Sequence, residues 1–486
     1  MKEVSIKKNF IYSMGYQILI LITPFITTPY VSRVLGADGI GIYSYTSSIM
    51  SYFTLVAALG TSAYGAREIA QHRNDKKQAS KLFWEIELMT IFTSLACLAV
   101  WIGFIIFGKE YRYCYLALTP LLLGTMFDIS WFFTGYEQMQ CVVSRNSVCK
   151  IIGVVLLFVL VRDKGDLIVY ILINSLVTMI GNLSMWTYLP QFLEKVDRTT
   201  LTYKKHFKET LIYFIPAIAT SIYTVLDKTL IGLITHNDYE NGYYEQATKI
   251  INLIKALVFT SVNTVMGARI SYLFAEEKYE EIHQRIEKSL DFILLMGFAC
   301  VFGLIGIAKT FVPFFFGEGY GPVVQLLYVF APIIIIIGIS NCMGSQYYTP
   351  SGRRAQSAKF IIVGSCVNLC LNLILIPKMG SEGAAIASII AELTITVLYV
   401  AMSDGYMSLN LIIAHAWKRV VAGVVMCACV YGLGEFIHMS EIITLIIQVV
   451  CGAIIYLGIL ELMKDVMMKE LLGELFGKVL NKVKNK

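Results

Sequence analysis

Charge is scarce in this chain: 15% of its 486 residues are Asp, Glu, Lys or Arg, against roughly a quarter in a soluble domain. That shortage excludes a string of water-soluble domains. Also missing is any connecting segment long enough to fold alone. No Cys-x-x-Cys pair occurs among the 11 cysteines, so neither a metal site nor a disulfide framework is expected. Cys97, Cys300, Cys366, Cys370 and Cys451 lie within apolar runs, where a small soft side chain packs. No nucleophile constellation, phosphate-cradling glycine loop or Walker lysine is visible in the polar segments. The chain is therefore expected not to be an enzyme, and it needs no organic cofactor. The net charge of +6 does not point to nucleic acid, because the basic residues gather in short loops beside apolar runs, which is a topology signal.

What the chain does have is apolar sequence, 57% by composition. It falls into about fourteen runs of roughly 20 residues, each long enough to cross a hydrocarbon core of about 30 Å. The expected helices cover 9–32, 40–66, 82–107, 113–136, 142–161, 167–193, 211–235, 243–267, 289–316, 322–346, 359–377, 382–403, 418–437 and 441–463. The fold class is an all-α polytopic membrane protein. An even count puts both termini on one side. With that side inside, the inner segments hold Arg67, Arg73, Lys76, Lys77 and Lys81, then Lys195, Arg198, Lys204, Lys205 and Lys208, then Arg353, Arg354 and Lys359. The outer segments hold only Arg33, Lys109, Arg112, Arg162, Lys164 and Lys378. The first apolar run has no small-residue cleavage site and is too long for a signal-peptide core, so it reads as an uncleaved span.

Two internal echoes suggest duplication. Gly41-Ile42-Tyr43 with Gly65-Ala66-Arg67 answers Gly242-Tyr243-Tyr244 with Gly267-Ala268-Arg269, and Tyr136 through Lys150 answers Tyr347 through Lys359. The predicted plan is an N-lobe at 1–193, a linker at 194–210, a C-lobe at 211–404, two further spans at 405–463 and a tail at 464–486. Six spans per half is even, so the lobes should run in parallel around a central cavity. The tail sets Val466, Met467, Leu471, Leu472, Leu475, Val479, Leu480 and Val483 against lysines, the pattern of an amphipathic helix on the inner surface.

The stretch from Pro29 to Gly36 with Gly39 to Tyr43 resembles the opening of bacterial polysaccharide-unit flippases. These form the O-antigen and capsule repeat-unit branch of the multidrug/oligosaccharidyl-lipid/polysaccharide exporter superfamily. Leu226-Asp227-Lys228, Gly242 to Lys249, Phe316 to Tyr320, Asn368 to Asn372, Ile376-Pro377-Lys378 and Gly383-Ala384-Ala385 agree with it. The resemblance runs from about Asn9 to Glu392. It implies translocation of an undecaprenyl-diphosphate-linked glycan from the inner to the outer leaflet of the bacterial plasma membrane. A polysaccharide polymerase and a chain-length regulator are the protein partners it suggests, beside membrane lipid itself.

The polar groups inside the spans are the site candidates, since each is costly in hydrocarbon. Lys228 and Lys249 fall roughly 10 Å below the outer surface at 1.5 Å per residue, and Lys255 lies deeper. Three ammonium groups suit a watery cavity that receives an anion, and a diphosphate linkage is one. The alternative is that Asp227 neutralises Lys249 or Lys228 and ties two helices together. Asp128 and Glu392, with Asp227, are candidates for coupling to a proton or sodium gradient, or else they bond a neighbouring helix. The run Tyr43 to Thr54 is rich in hydroxyls, so Tyr45, Ser48 and Tyr52 are candidate sugar contacts, unless they serve helix packing. Arg33 falls at a span end, where snorkelling or phosphate contact accounts for it.

The rival readings are a peptidoglycan-precursor flippase, a multidrug-type cation antiporter and a membrane glycan polymerase or ligase. A cation exporter calls for an acidic cavity, and a polymerase for a large outer loop. Neither is evident, whereas the peptidoglycan reading shares the cationic expectation.

Overall fold

The computed structural model describes residues 6–197, 199, 201–437, 439–470 and 473. Helix dominates, as it must where a backbone has no water to bond. In order come α1 (Ile6–Ala58), α2 (Thr61–His72), α3 (Lys76–Phe107), α4 (Arg112–Met126), α5 (Ser130–Gly135), α6 (Met139–Leu160), α7 (Leu167–Met185) and α8 (Tyr203–Thr235). They are followed by α9 (Asp238–Ala275), α10 (Tyr279–Phe316), α11 (Gly321–Phe330), α12 (Ile333–Met343), α13 (Arg354–Ala401), α14 (Leu409–Phe436) and α15 (Glu441–Leu462). Among the described residues, nine helical segments are long and apolar enough to cross a membrane, or ten when the bent α11–α12 pair is included.

Each predicted span falls on helix, but the boundaries shift for local reasons. The segment 40–66 ends at Ala58, because Leu59 and Gly60 turn left-handed at φ 44° and 75° and α2 starts afresh. The segment 113–136 is broken between α4 and α5, where the Asp128 carboxylate accepts the Ser130 backbone N–H at 3.0 Å. The stretch 270–289, between the predicted spans 243–267 and 289–316, forms the ends of α9 and α10, joined by a turn. There Glu281 receives Arg285 at 2.7 Å and Arg269 at 3.5 Å.

The two longest helices each carry two predicted spans across a glycine. Gly36 breaks α1 at φ 72°, ψ 174°, and Gly380 breaks α13 at φ 54°, ψ −131°. Side chains clash in both conformations, so only glycine reaches them cheaply.

The chain divides into two compact units, Met1–Gly242 and Tyr243–Lys486. The predicted linker at 194–210 lies inside the first, because α8 packs on α1 and α3. One core of that unit joins α1, the Phe107 end of α3, α4, α6 and α7 around Trp101, Leu118 and Ile171. A second, at the Lys76 end of α3, is aromatic and gathers Phe83, Trp131, Phe132, Trp186 and Phe192.

In the second unit α10 packs against α12, α14 and α15. Arg419 of α14, only 2% exposed, donates to the Asp291 carbonyl at 2.9 Å and to Asp465 at 3.3 Å. Met467 and Met468 are buried on this cluster while Val466 is exposed. The beginning of the predicted amphipathic tail is therefore docked on protein. The remainder of that tail, apart from Gly473, and Arg198 of the basic linker lie outside the described residues.

Candidate functional site

The hydroxyl-rich part of α1 solves its own hydrogen bonding first. Thr46, Ser47, Ser48, Ser51 and Thr54 each donate to a carbonyl three or four residues earlier, at 2.7–3.1 Å. Back-bonding of this kind lets hydroxyls sit in an apolar helix. What remains is an acceptor lone pair, and Ser48 uses it against Thr229 of α8 at 2.8 Å. The Tyr52 hydroxyl lies 3.3 Å from the same Thr229 hydroxyl. The neighbouring Asp227, 4% exposed, lies within electrostatic reach of Tyr52. Two of the predicted sugar contacts thus hold α1 to α8. Lys228 is half-buried next to this seam, and Arg33 is exposed on α1 ahead of the Gly36 break.

The glycine motifs have a direct steric cause. A Cβ on Gly41 would lie 1.7 Å from the Asp238 carbonyl oxygen, and one on Gly242 would lie 1.9 Å from that of Ala37. The two echoed glycines face the same crossing of backbones, where a side chain has no room. Tyr45 packs its ring over Gly232, where a Cβ would meet it at 2.2 Å, and edges Tyr111 at 5.8 Å between centroids. Tyr111 donates to Asp238 at 2.8 Å. Burial, reinforced by that carboxylate, pushes the Tyr111 hydroxyl pKa upward.

The second unit holds a different kind of seam. Lys255 on α9 has the Glu392 carboxylate of α13 within electrostatic reach, and Glu392 is 7% exposed. One turn before Glu392, Ser388 accepts from the Asn368 amide at 3.3 Å, and Asn372 donates to the Asn368 side-chain oxygen at 3.0 Å. Both asparagines are fully buried. The break at Gly380 folds the two halves of α13 so that Asn368, itself held by Asn372, meets Ser388. Lys249 pairs one turn back along α9 with Glu245 at 3.5 Å, a carboxylate the sequence reading had not offered it.

Lys255 and Glu392, assigned separate roles from sequence, are therefore brought together, while Lys249 has its own local carboxylate. Lys228 and Asp227 belong to the first unit. Asp128 sits in the α4–α5 break, within reach of Arg145 on α6. Sequence reasoning missed Asn368 and Asn372 as polar site groups, although their four-residue spacing puts both on one helical face. It also missed Glu87 on α3 and the Arg419 cluster. Among the described residues no group of three or more His, Cys, Asp or Glu side chains could hold a metal ion.

A half-buried lysine with a buried carboxylate and buried amides, inside a helical bundle of this length, defines a polytopic membrane protein of the transporter type. The solved structure described as lipid II flippase MurJ in an inward closed conformation matches 96% of this chain and 99% of its own. Its TM-score is 0.73 at 17% identity. An inward-facing multidrug resistance MATE family transporter of the MOP superfamily covers 85% of this chain and 99% of its own, with a TM-score of 0.55 at 13% identity. These likenesses establish the fold.

The chain belongs to the family described as "Polysaccharide biosynthesis protein", which matches residues 6–274. Among curated relatives, the "Putative O-antigen transporter" of Escherichia coli (strain K12) is 23% identical over 401 residues, spanning 82% of this chain and 96% of its own. The "Probable low-salt glycan biosynthesis flippase Agl15" of Haloferax volcanii is 22% identical over 442 residues, spanning 89% and 90%.

Proposed function

We propose that this protein is a flippase that carries undecaprenyl-diphosphate-linked oligosaccharide units from the inner to the outer leaflet of a bacterial plasma membrane. It works by alternating access, with both termini cytoplasmic. The observation that carries the reading is Lys255, a half-buried ammonium on α9 with the Glu392 carboxylate of α13 within electrostatic reach. A cation kept there at a cost of several kcal/mol suits a cargo that brings two phosphates. The carboxylate compensates the ammonium when cargo is absent. Arriving diphosphate competes for the same ammonium, so binding and release are exchanges of partner, with no buried charge stranded at either stage. The relatives' printed names support a glycan cargo, and the fold of the lipid II flippase favours a peptidoglycan precursor as second reading.

Liposomes containing the protein and an undecaprenyl-diphosphate-linked oligosaccharide provide the test. The fraction of glycan open to an impermeant enzyme should rise from half toward completion within the assay. Glycan that stays half-protected, as in protein-free liposomes, rejects the flippase reading. Equal movement of a disaccharide-pentapeptide carrier lipid would favour the second reading over the first.

A further inference from the structure

Glu87 is the one residue among the described carboxylates whose side chain is fully buried, with neither oxygen receiving a hydrogen bond. It stands on α3, five residues inside the predicted span, about 8 Å from its entrance at 1.5 Å per residue. One turn before it on the same helix face is Phe83, which packs with Trp131 and Phe132 in the aromatic core. An ionised carboxylate without donors costs far too much in such a place, so the side chain rests as the neutral acid.

Its surroundings specify what it can exchange. A hard metal cation needs a shell of oxygens, and none is assembled here. A proton needs a single lone pair and a route. On the same face of α3, at helical spacing, lie buried Ser80, Thr90 and Ser94, and the Ser94 hydroxyl has no partner. The Trp131 indole N–H and the Tyr136 hydroxyl of the same core are also unpartnered. In the α4–α5 break, Asp128 lies within electrostatic reach of Glu87 and of Arg145 of α6. From α2 and α8, Tyr64 and His206 turn toward α3, but they are taken by Glu85: Tyr64 meets His206 at 2.6 Å and His206 meets Glu85 at 2.9 Å. α1 meets α3 through the Ala57 carbonyl, which accepts from Thr93 at 2.7 Å.

We propose that Glu87 is a proton-binding site that couples transport to a proton gradient, with Asp128 as the group through which the proton enters or leaves. The proposal rests on the flippase reading for its cargo, though not for its chemistry. When the break between α4 and α5 opens to water, Glu87 ionises and the proton leaves by way of the Asp128 carboxylate. Closure of the aromatic core then requires reprotonation.

Two measurements separate this proposal from the flippase reading. Dicyclohexylcarbodiimide, which attacks protonated carboxyls in apolar surroundings, should label Glu87 in the purified wild-type protein, with labelling falling as pH is raised. This needs no cargo. In liposomes, cargo movement by the wild type should accelerate several-fold under a proton gradient and should shift an internal pH dye. Glu87→Gln, a permanent mimic of the neutral acid, should abolish the dye signal and the gradient response, and Glu87→Asp should retain part of both. Should Glu87→Gln fail to accumulate, Glu87→Asp and the labelling carry the test. Absence of label at every pH, or a full dye response from Glu87→Gln, overturns the proposal. Label on Glu87 without any cargo movement by the wild type would overturn the flippase reading alone.

Discussion

The α1–α8 seam of the first unit and the α9–α13 seam of the second are both polar lines through apolar helices, yet they are built from different chemistry. The first is joined by hydroxyls that also bond their own helix, Ser48 and Thr229 meeting across it, with the charges of Asp227 and Lys228 beside the joint and not in it. The second contains a full ammonium, a carboxylate and two amides. Hydroxyls can satisfy themselves by back-bonding, so their presence in a span signals little beyond close packing. A lysine has no such option. Its three donors need partners from other helices or from a ligand, and this is why the second seam is the place to look for cargo.

The largest effect should come from neither seam but from the crossing that positions the first. Replacing Gly41 or Gly242 with Leu drives a side chain into a carbonyl oxygen less than 2 Å from the Cβ, which no flexible group can relieve. Either variant should lose most membrane-inserted protein by immunoblot. Normal accumulation would mean that the helices are free to separate there.

Within the second seam, Glu392→Gln should destabilise the protein by about 1 kcal/mol, since it strips compensation from a half-buried ammonium. Adding Lys255→Met should recover most of that loss in a thermal-shift assay while leaving export abolished. Additive losses in the double variant would show that the two side chains are not energetically linked.

In the first seam, Ser48→Ala removes one interhelical hydroxyl contact, worth about 0.6 kcal/mol in a membrane bundle. Export should stay above half of normal. A tenfold fall would return Ser48 to the role of sugar contact and erase the contrast between the seams.

The smallest effect belongs to an exposed pair. The Arg353 guanidinium, joined by the Tyr347 hydroxyl, holds Asp404 below the usual carboxylate range. Its contribution is present above the ordinary carboxyl pKa near 3.9 and fades as the pH falls through the lowered value. Asp404→Asn should therefore lower the unfolding midpoint slightly at pH 7 and by less at pH 3. A larger effect at pH 3 than at pH 7 would contradict this sign.

Much of the helical plan was legible because twenty-residue apolar runs have one physical solution in a bilayer. Two of the breaks were legible as well, since Gly36 and Gly380 fall in the gaps left between predicted spans. The breaks at Leu59–Gly60 and at Asp128 were not, because they interrupt apolar runs that read as continuous. The lysines were legible because a charge in an apolar run is conspicuous. Their partners were harder to assign, since Glu392 lies 137 positions after Lys255 and helix periodicity carries no information about which helix will face it. Glu87 escaped notice for a related reason. It sits among Glu85, Thr90 and a nearby cluster of lysines at a span entrance, where a carboxylate looks solvated, and only the packing of the aromatic core shows that it is sealed.

The most direct test of the central claim is glycan export measured at matched membrane protein levels for the wild type, Lys255→Arg and Lys255→Ala. Lys255→Arg keeps the cation and should retain a substantial fraction of export, whereas Lys255→Ala should reduce it at least tenfold. Export by Lys255→Ala at the wild-type rate would contradict the account, because the Lys255 ammonium would then have no part in carrying the diphosphate.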